Sequence, residues 1–212
     1  MVEITDPTAA REGIEVLDQD VVHLDQDPLR VRRMIARLDS TWLVYQTTNR
    51  RVRTRTRVGD AFMAFSAIGP TAGGTVDGRE MRADRLLVAE PGTEAELVVQ
   101  PGYESIAVLI GPADLERHLR DRGRGDEFQR PRGIELRRPA AGAARALFKL
   151  GRRLVEAAAA RPAPRYSRRC LPLWNRMDLS RRFVASVRGR HTAESPGSPR
   201  TGRWRTRGSP SP

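Results

Sequence analysis

A mainly β domain followed by C-terminal helices is the fold class that the 212-residue sequence predicts, on three observations. Between Thr41 and Ile110 the chain runs in short stretches of β-formers with period-2 alternation. Gly, Pro or Asp interrupts those stretches at regular intervals, as in VGDAF, IGPTAGG, VDGRE, AEPGTE and VQPGYE, wherever a turn needs positive φ or a fixed φ. After Ile110 the apolar spacing lengthens to that of a helix. Many short strands at this spacing make an all-β barrel or sandwich.

The first 27 residues, ending HLDQD, are acidic and mixed, and Asp27-Pro28 is a turn initiator. Residues 1–29 are therefore expected to form an extended or loosely docked arm. The expected strands are Thr41 to Thr47, Val52 to Thr56, Ala61 to Ile68, Gly74 to Val76 with Arg79 to Met81, Arg85 to Val88, Ala95 to Val99 and Ser105 to Ile110. Gly111-Pro112-Ala113-Asp114 opens a first helix carrying Leu115, His118 and Leu119 at helical spacing. A second helix is expected over Pro139 to Ala160, where Ala144, Leu147, Phe148, Gly151, Leu154, Val155 and Ala158 form one apolar stripe. Residues 161–212, rich in Arg, Pro and Ser without a sustained period, read as a disordered tail in which only Met177 to Val187 could make a short helix.

The formal charge of +12 has a location. Residues 1–160 hold 25 Lys and Arg against 24 Asp and Glu, whereas residues 161–212 hold 13 against 2. Only Lys149 among the basic residues is a lysine, a skew that points to a GC-rich coding sequence. The abrupt change at Arg161 also fits translation in a shifted frame of such a gene. The stretch NRRVRTRTRV, with five arginines in ten residues, lies in the balanced part. As a strand it places Arg51, Arg53, Arg55 and Arg57 on one face and Val52, Thr54, Thr56 and Val58 on the other. The arginine face is expected first to meet solvent, next to pair with the acidic arm (Glu12, Glu15, Asp18, Asp20), and least to hold an anionic ligand.

Little in the sequence favours an enzyme, and no catalytic residue is assigned. His23, His118 and His191 lie far apart and Cys170 is the single cysteine, so no metal-ligand spacing occurs and no metal or other cofactor is expected. There is no G-x-S-x-G or Cys/His arrangement for a nucleophile, and GPTAGGT lacks the Lys-Ser/Thr ending of a phosphate loop. No signal-peptide pattern and no apolar run of about 20 residues is present, so a cytoplasmic protein without a membrane span is expected.

The order of the segments resembles the N-terminal regulatory domain of AraC-type transcriptional regulators. The features that carry the resemblance are the strand DAFMAF (Asp60 to Phe65), the hydrophilic hairpin at Asp77-Gly78 and RLLVAEPG (Arg85 to Gly92). They continue with Gln100-Pro101-Gly102-Tyr103 before IAVLI and end with the helix from Gly111 to Leu115, so that residues 30–160 are covered. The resemblance implies a cupin-like β-barrel followed by one or two packing helices, which binds a small-molecule effector or forms a homodimer. It implies that the helix of Leu147, Phe148, Leu154 and Val155 belongs to a dimerising pair. DNA would be read by a C-terminal domain of two helix-turn-helix units, and nothing after Arg161 resembles these, so the chain looks truncated or frame-shifted there. Large side chains on or beside strands, Trp42, Phe65 and Tyr103, are the candidate effector contacts. The alternatives are a nucleic-acid-binding protein acting through the Arg-rich tail with Trp204, and a cupin-like enzyme.

Overall fold

A computed structural model describes residues 2–6, 16–125 and 128–160. The expected tail, Cys170, His191 and Trp204, and Glu12 and Glu15 of the expected arm, lie outside them. Among the described residues the chain forms twelve strands and two helices. The strands are β1 (Val2–Ile4), β2 (Leu17–His23), β3 (Val31–Leu38), β4 (Thr41–Thr48), β5 (Val52–Val58) and β6 (Met63–Ile68). They continue as β7 (Gly74–Val76), β8 (Arg79–Glu80), β9 (Leu86–Ala89), β10 (Glu94–Val99) and β11 (Glu104–Ile110). Helix α1 (Pro112–Arg120) follows, then β12 (Ile134–Arg137) and α2 (Ala143–Ala160).

All ladders are antiparallel and build two sheets, a seven-stranded one in the order β1-β3-β4-β11-β6-β9-β12 and a five-stranded one in the order β2-β5-β10-β7-β8. Among the described residues no ladder joins the two, so the architecture is a two-sheet sandwich rather than a closed barrel. The turn chemistry sets the register where it is tightest. Asp77 and Gly78 both take positive φ, 46° and 75°, so that Val76 pairs with Arg79 across a two-residue hairpin. The Asp77 carboxylate then accepts a hydrogen bond from the Glu96 backbone N–H at 2.9 Å and fixes the hairpin to β10.

The large sheet is apolar on both faces. One face carries Met34, Leu43, Met63, Phe65, Leu86, Val88, Ile106 and Val108, which pack with Leu115 and Leu119 of α1 and Leu147, Phe148 and Val155 of α2. Its opposite face meets the small sheet, where Val31, Val52, Val76, Val99 and Tyr103 pack in one cluster and Leu17, Val44, Val58 and Leu109 in another. Helix α1 is well specified locally. Pro112 occupies its first turn with Asp114, and Arg117, His118 and Arg120 lie in its last turn, in keeping with the helix dipole.

Two expectations are corrected. The described parts of the N-terminal segment, residues 2–6 and 16–29, are not a loose arm, because β1 extends the large sheet beside β3 and β2 extends the small sheet beside β5. The physical reason is in LDQDVVH: Leu17, Gln19 and Val21 face inwards while Asp18, Asp20 and Val22 face outwards, and the acidity obscures a clean period of two. Second, VRRMIARL and IELR are strands that short-range pattern reading passes over. Strand β3 is buried on both faces, so its alternation of polar and apolar residues is lost.

The apolar stripe of α2 is used within the chain. Leu147, Phe148 and Val155 are buried against the large sheet and Leu154 packs beside them. Helix pairing through these side chains would require their withdrawal from that sheet.

Candidate functional site

Strand parity identifies which side chains enter the space between the sheets. Val31 and Ile35 of β3 join the inter-sheet clusters, whereas Met34, Ala36 and Leu38 pack beneath the helices. Arg33 therefore shares the inner face with Val31. By the same register Gln46 of β4, Ser105 of β11, Gln19 of β2 and Thr54 and Thr56 of β5 also face inwards. Gln46 is the cross-strand partner of both Arg33 and Ser105, and Gln19 that of Thr56.

These side chains form a hydrogen-bonded chain from one sheet to the other. Arg33 Nη2 donates to Gln19 Oε1 at 2.6 Å and to Gln46 Oε1 at 3.5 Å. Gln19 Nε2 donates to Thr56 Oγ1 at 3.3 Å, and the Thr56 hydroxyl reaches Thr54 Oγ1 at 3.5 Å. Arg33 is only 3% exposed, and Gln19, Thr54 and Ser105 are also buried. Burial pushes the Arg33 guanidinium down to about 10, which leaves it charged at neutral pH. Tyr103, also buried, has its phenol pushed up by burial, with an opposing influence from its hydrogen bond to Ser105. Buried polar groups cost stability unless they are paired, and this set is paired largely within itself. It can offer a bound molecule amide, hydroxyl and guanidinium partners in place of one another.

The three aromatic candidates separate. Tyr103 joins the inter-sheet cluster, beside Ser105. Trp42 also faces the inter-sheet side, half-buried, opposite Leu109, with the Arg37 guanidinium 5.4 Å from its ring centroid. Phe65 lies on the other face of β6, fully buried beneath the helices with its ring 6.3 Å from that of Phe128. One step of strand parity removes it from an inter-sheet site. Gln19, Arg33 and Gln46 were not anticipated. The alternation Val31-Arg33-Ile35 is the signal that could have found Arg33, had VRRMIARL been read as a strand.

The arginine strip lies on the outer face of the small sheet, between two rows of acids. Arg57 has Asp18 on one side and Glu94 on the other, and Arg55 has Asp20 and Glu96. Arg55 Nε lies 2.9 Å from Glu94 Oε1 and Arg57 Nη2 lies 2.6 Å from Asp60 Oδ1. Half of the acidic arrangement thus comes from Asp18 and Asp20 of the N-terminal segment, and half from Glu94 and Glu96 of β10, whose place beside β5 is set by sheet pairing alone. His118 is half-buried on α1, its imidazole pushed down by burial and then by Arg122, whose Nη1 lies 3.1 Å from Nδ1. No group of three or more His, Cys, Asp or Glu able to hold a metal ion occurs among the described residues, and no helix among them is long and apolar enough to cross a membrane.

No family model and no curated protein matches the sequence. Among solved structures the chain is similar to the AraC-like transcriptional activator CuxR, with 14% identity and a TM-score of 0.47 over 83% of this chain and 65% of that one. It is also similar to ToxT from Vibrio cholerae, with 12% identity and a TM-score of 0.31 over 85% of this chain and 61% of that one. A Cupin 2 conserved barrel domain protein from Salinispora arenicola matches at 17% identity and a TM-score of 0.32, over 42% of this chain and 81% of that one. The chain thus spans less than two thirds of the length of CuxR and of ToxT.

Proposed function

We propose that this chain is the effector-binding regulatory domain of an AraC-type transcription regulator, with the effector held between the two sheets. The observation that carries the proposal is the buried polar chain Arg33–Gln19–Thr56–Thr54, joined by Gln46 and Ser105. A sandwich interior serving stability alone gains nothing from a desolvated guanidinium that apolar side chains of similar volume could replace. An interior that exchanges its own hydrogen bonds for those of a small molecule needs such groups. The segment order from Asp60 to Leu115 supports the same reading. Specific DNA recognition by such a regulator would fall to helix-turn-helix units.

A thermal-shift screen of the full chain against a broad panel of small metabolites tests the proposal. At a hundredfold excess over Kd a ligand adds about 2.7 kcal/mol, which for a chain of this size raises Tm by roughly 5–10 °C. The expected hit loses its shift in Arg33→Met and Gln19→Leu and keeps it in Phe65→Leu. A panel without hits, or a shift that survives both interior substitutions, overturns the assignment.

A further inference from the structure

Beyond the apolar packing of Leu147, Phe148 and Val155, helix α2 meets the large sheet at two further points, and both lie on the strands that wall the inter-sheet space. The first point is steric. A Cβ built on Gly151 would collide with Ile106 Cγ2 and come within 3.1 Å of Cγ1, so α2 approaches β11 as closely as a residue without a side chain allows. The second is polar. The Tyr45 hydroxyl donates to Glu104 Oε1 at 2.9 Å, Arg152 Nε lies 3.8 Å from that same oxygen, and Arg152 also reaches Glu156 Oε1 at 3.1 Å. Burial and the Glu104 hydrogen bond push the Tyr45 phenol up to about 12, so it keeps the proton it donates across the physiological range.

The sheet-side members of this clasp are the chain neighbours of the inter-sheet polar residues. Tyr45 precedes Gln46 on β4, and Glu104 and Ile106 flank Ser105 on β11. The two strands are paired here, Ser105 with Gln46 and Ile106 with Tyr45. Side chains alternate across a strand, so a small rotation or shift of either backbone moves Gln46 or Ser105 on one face and the clasp on the other. The sheet between the two is a single layer of backbone.

We propose that the Tyr45–Glu104–Arg152 clasp and the Gly151–Ile106 contact form a coupling device, by which the state of the inter-sheet polar chain sets how firmly α2 is seated. The use of this coupling in effector response rests on the function proposed above, but the coupling itself does not. Arg152 and Glu104 are positioning residues for the helix. Nothing in the device requires a ligand to be known.

Hydrogen exchange of the full chain, followed by mass spectrometry, tests it. The measured quantity is the exchange rate of α2 peptides over residues 143–157 relative to those over β10, which lies in the other sheet and reports general loosening. Opening of a local unit raises its exchange in proportion to the open population, so Glu104→Gln should speed α2 relative to β10 about tenfold. Gln46→Leu and, as the milder change, Ser105→Ala should each speed it about threefold or more, although neither side chain faces α2. In the Glu104→Gln background these interior changes should add nothing, because coupled groups are not additive. Unchanged relative exchange in both interior variants overturns the proposal, and so does full additivity with Glu104→Gln. The ligand screen can fail while this coupling is found, and the coupling can fail while a ligand binds, so the two proposals are separately decided.

Discussion

The outer faces of the two sheets are built on opposite principles. On the large sheet the outer face is apolar and covered, with Phe65, Leu86, Ile106 and Val88 fully buried beneath α1 and α2. On the small sheet it is charged and uncovered, with arginines of β5 alternating with acids of β2 and β10. Burial of large apolar side chains contributes about 1.5–3 kcal/mol each, while exposed ion pairs contribute about 0–1 kcal/mol. The comparison teaches that the conspicuous feature of the sequence, its arginine strip, bears little of the stability, and that inconspicuous leucines, phenylalanines and one glycine bear much more.

That contrast can be broken most severely on the covered face. Phe65→Ala should cost about 3–5 kcal/mol in urea denaturation of the full chain, since it empties a fully buried site. Gly151→Ala comes next, at about 1–3 kcal/mol, because either the helix backs away from Ile106 or Ile106 leaves its rotamer. Between the sheets, Arg33→Met should cost about 1–3 kcal/mol by leaving the Gln19 and Gln46 carbonyls without their donor.

Tyr45 sharpens the comparison through pH. Its folded phenol lies above the unfolded value of 10.0, at about 12, so the folded state holds a proton that the unfolded state releases in that window. The resulting stability is fully present below pH 10.0 and lost as pH rises towards about 12. The Arg33 guanidinium, lowered to about 10, acts with the opposite sign over the same range, so the informative quantity is a difference. Urea midpoints of Tyr45→Phe should fall less steeply between pH 10.0 and about 12 than those of the unmodified chain, and equal slopes would count against the Glu104 hydrogen bond. The smallest effect is expected on the uncovered face. Arg55→Gln should change stability by no more than about 0.5 kcal/mol, and by less in high salt.

The sequence made the strands from β4 to β11 legible because turn chemistry marks their ends and, where one face is open to solvent, an alternation marks their course, as in VRTRTRV. The same rules failed at β3, where Arg33 is buried on the inner face and Met34 on the outer, so neither face looks like a surface. The polar site was hidden for a related reason. Gln19, Gln46, Thr54 and Thr56 are ordinary surface residues by composition, and only the pairing of β2 with β5 and of β3 with β4 brings them together. Parity and not bulk decides that Trp42 and Tyr103 face the small sheet while Phe65 packs beneath the helices.

The first strands bear on how the protein can be handled. Because β1 and β2 are the outermost strands of different sheets, a fragment beginning at residue 30 would bare a new edge on each of them. On the small sheet the new edge is β5, seven residues long and rich in Val and Thr, whose backbone donors and acceptors would be open to another copy of the chain. Its three arginines would then act as gatekeepers against self-association, and such a fragment should be soluble at low ionic strength and precipitate as salt screens them.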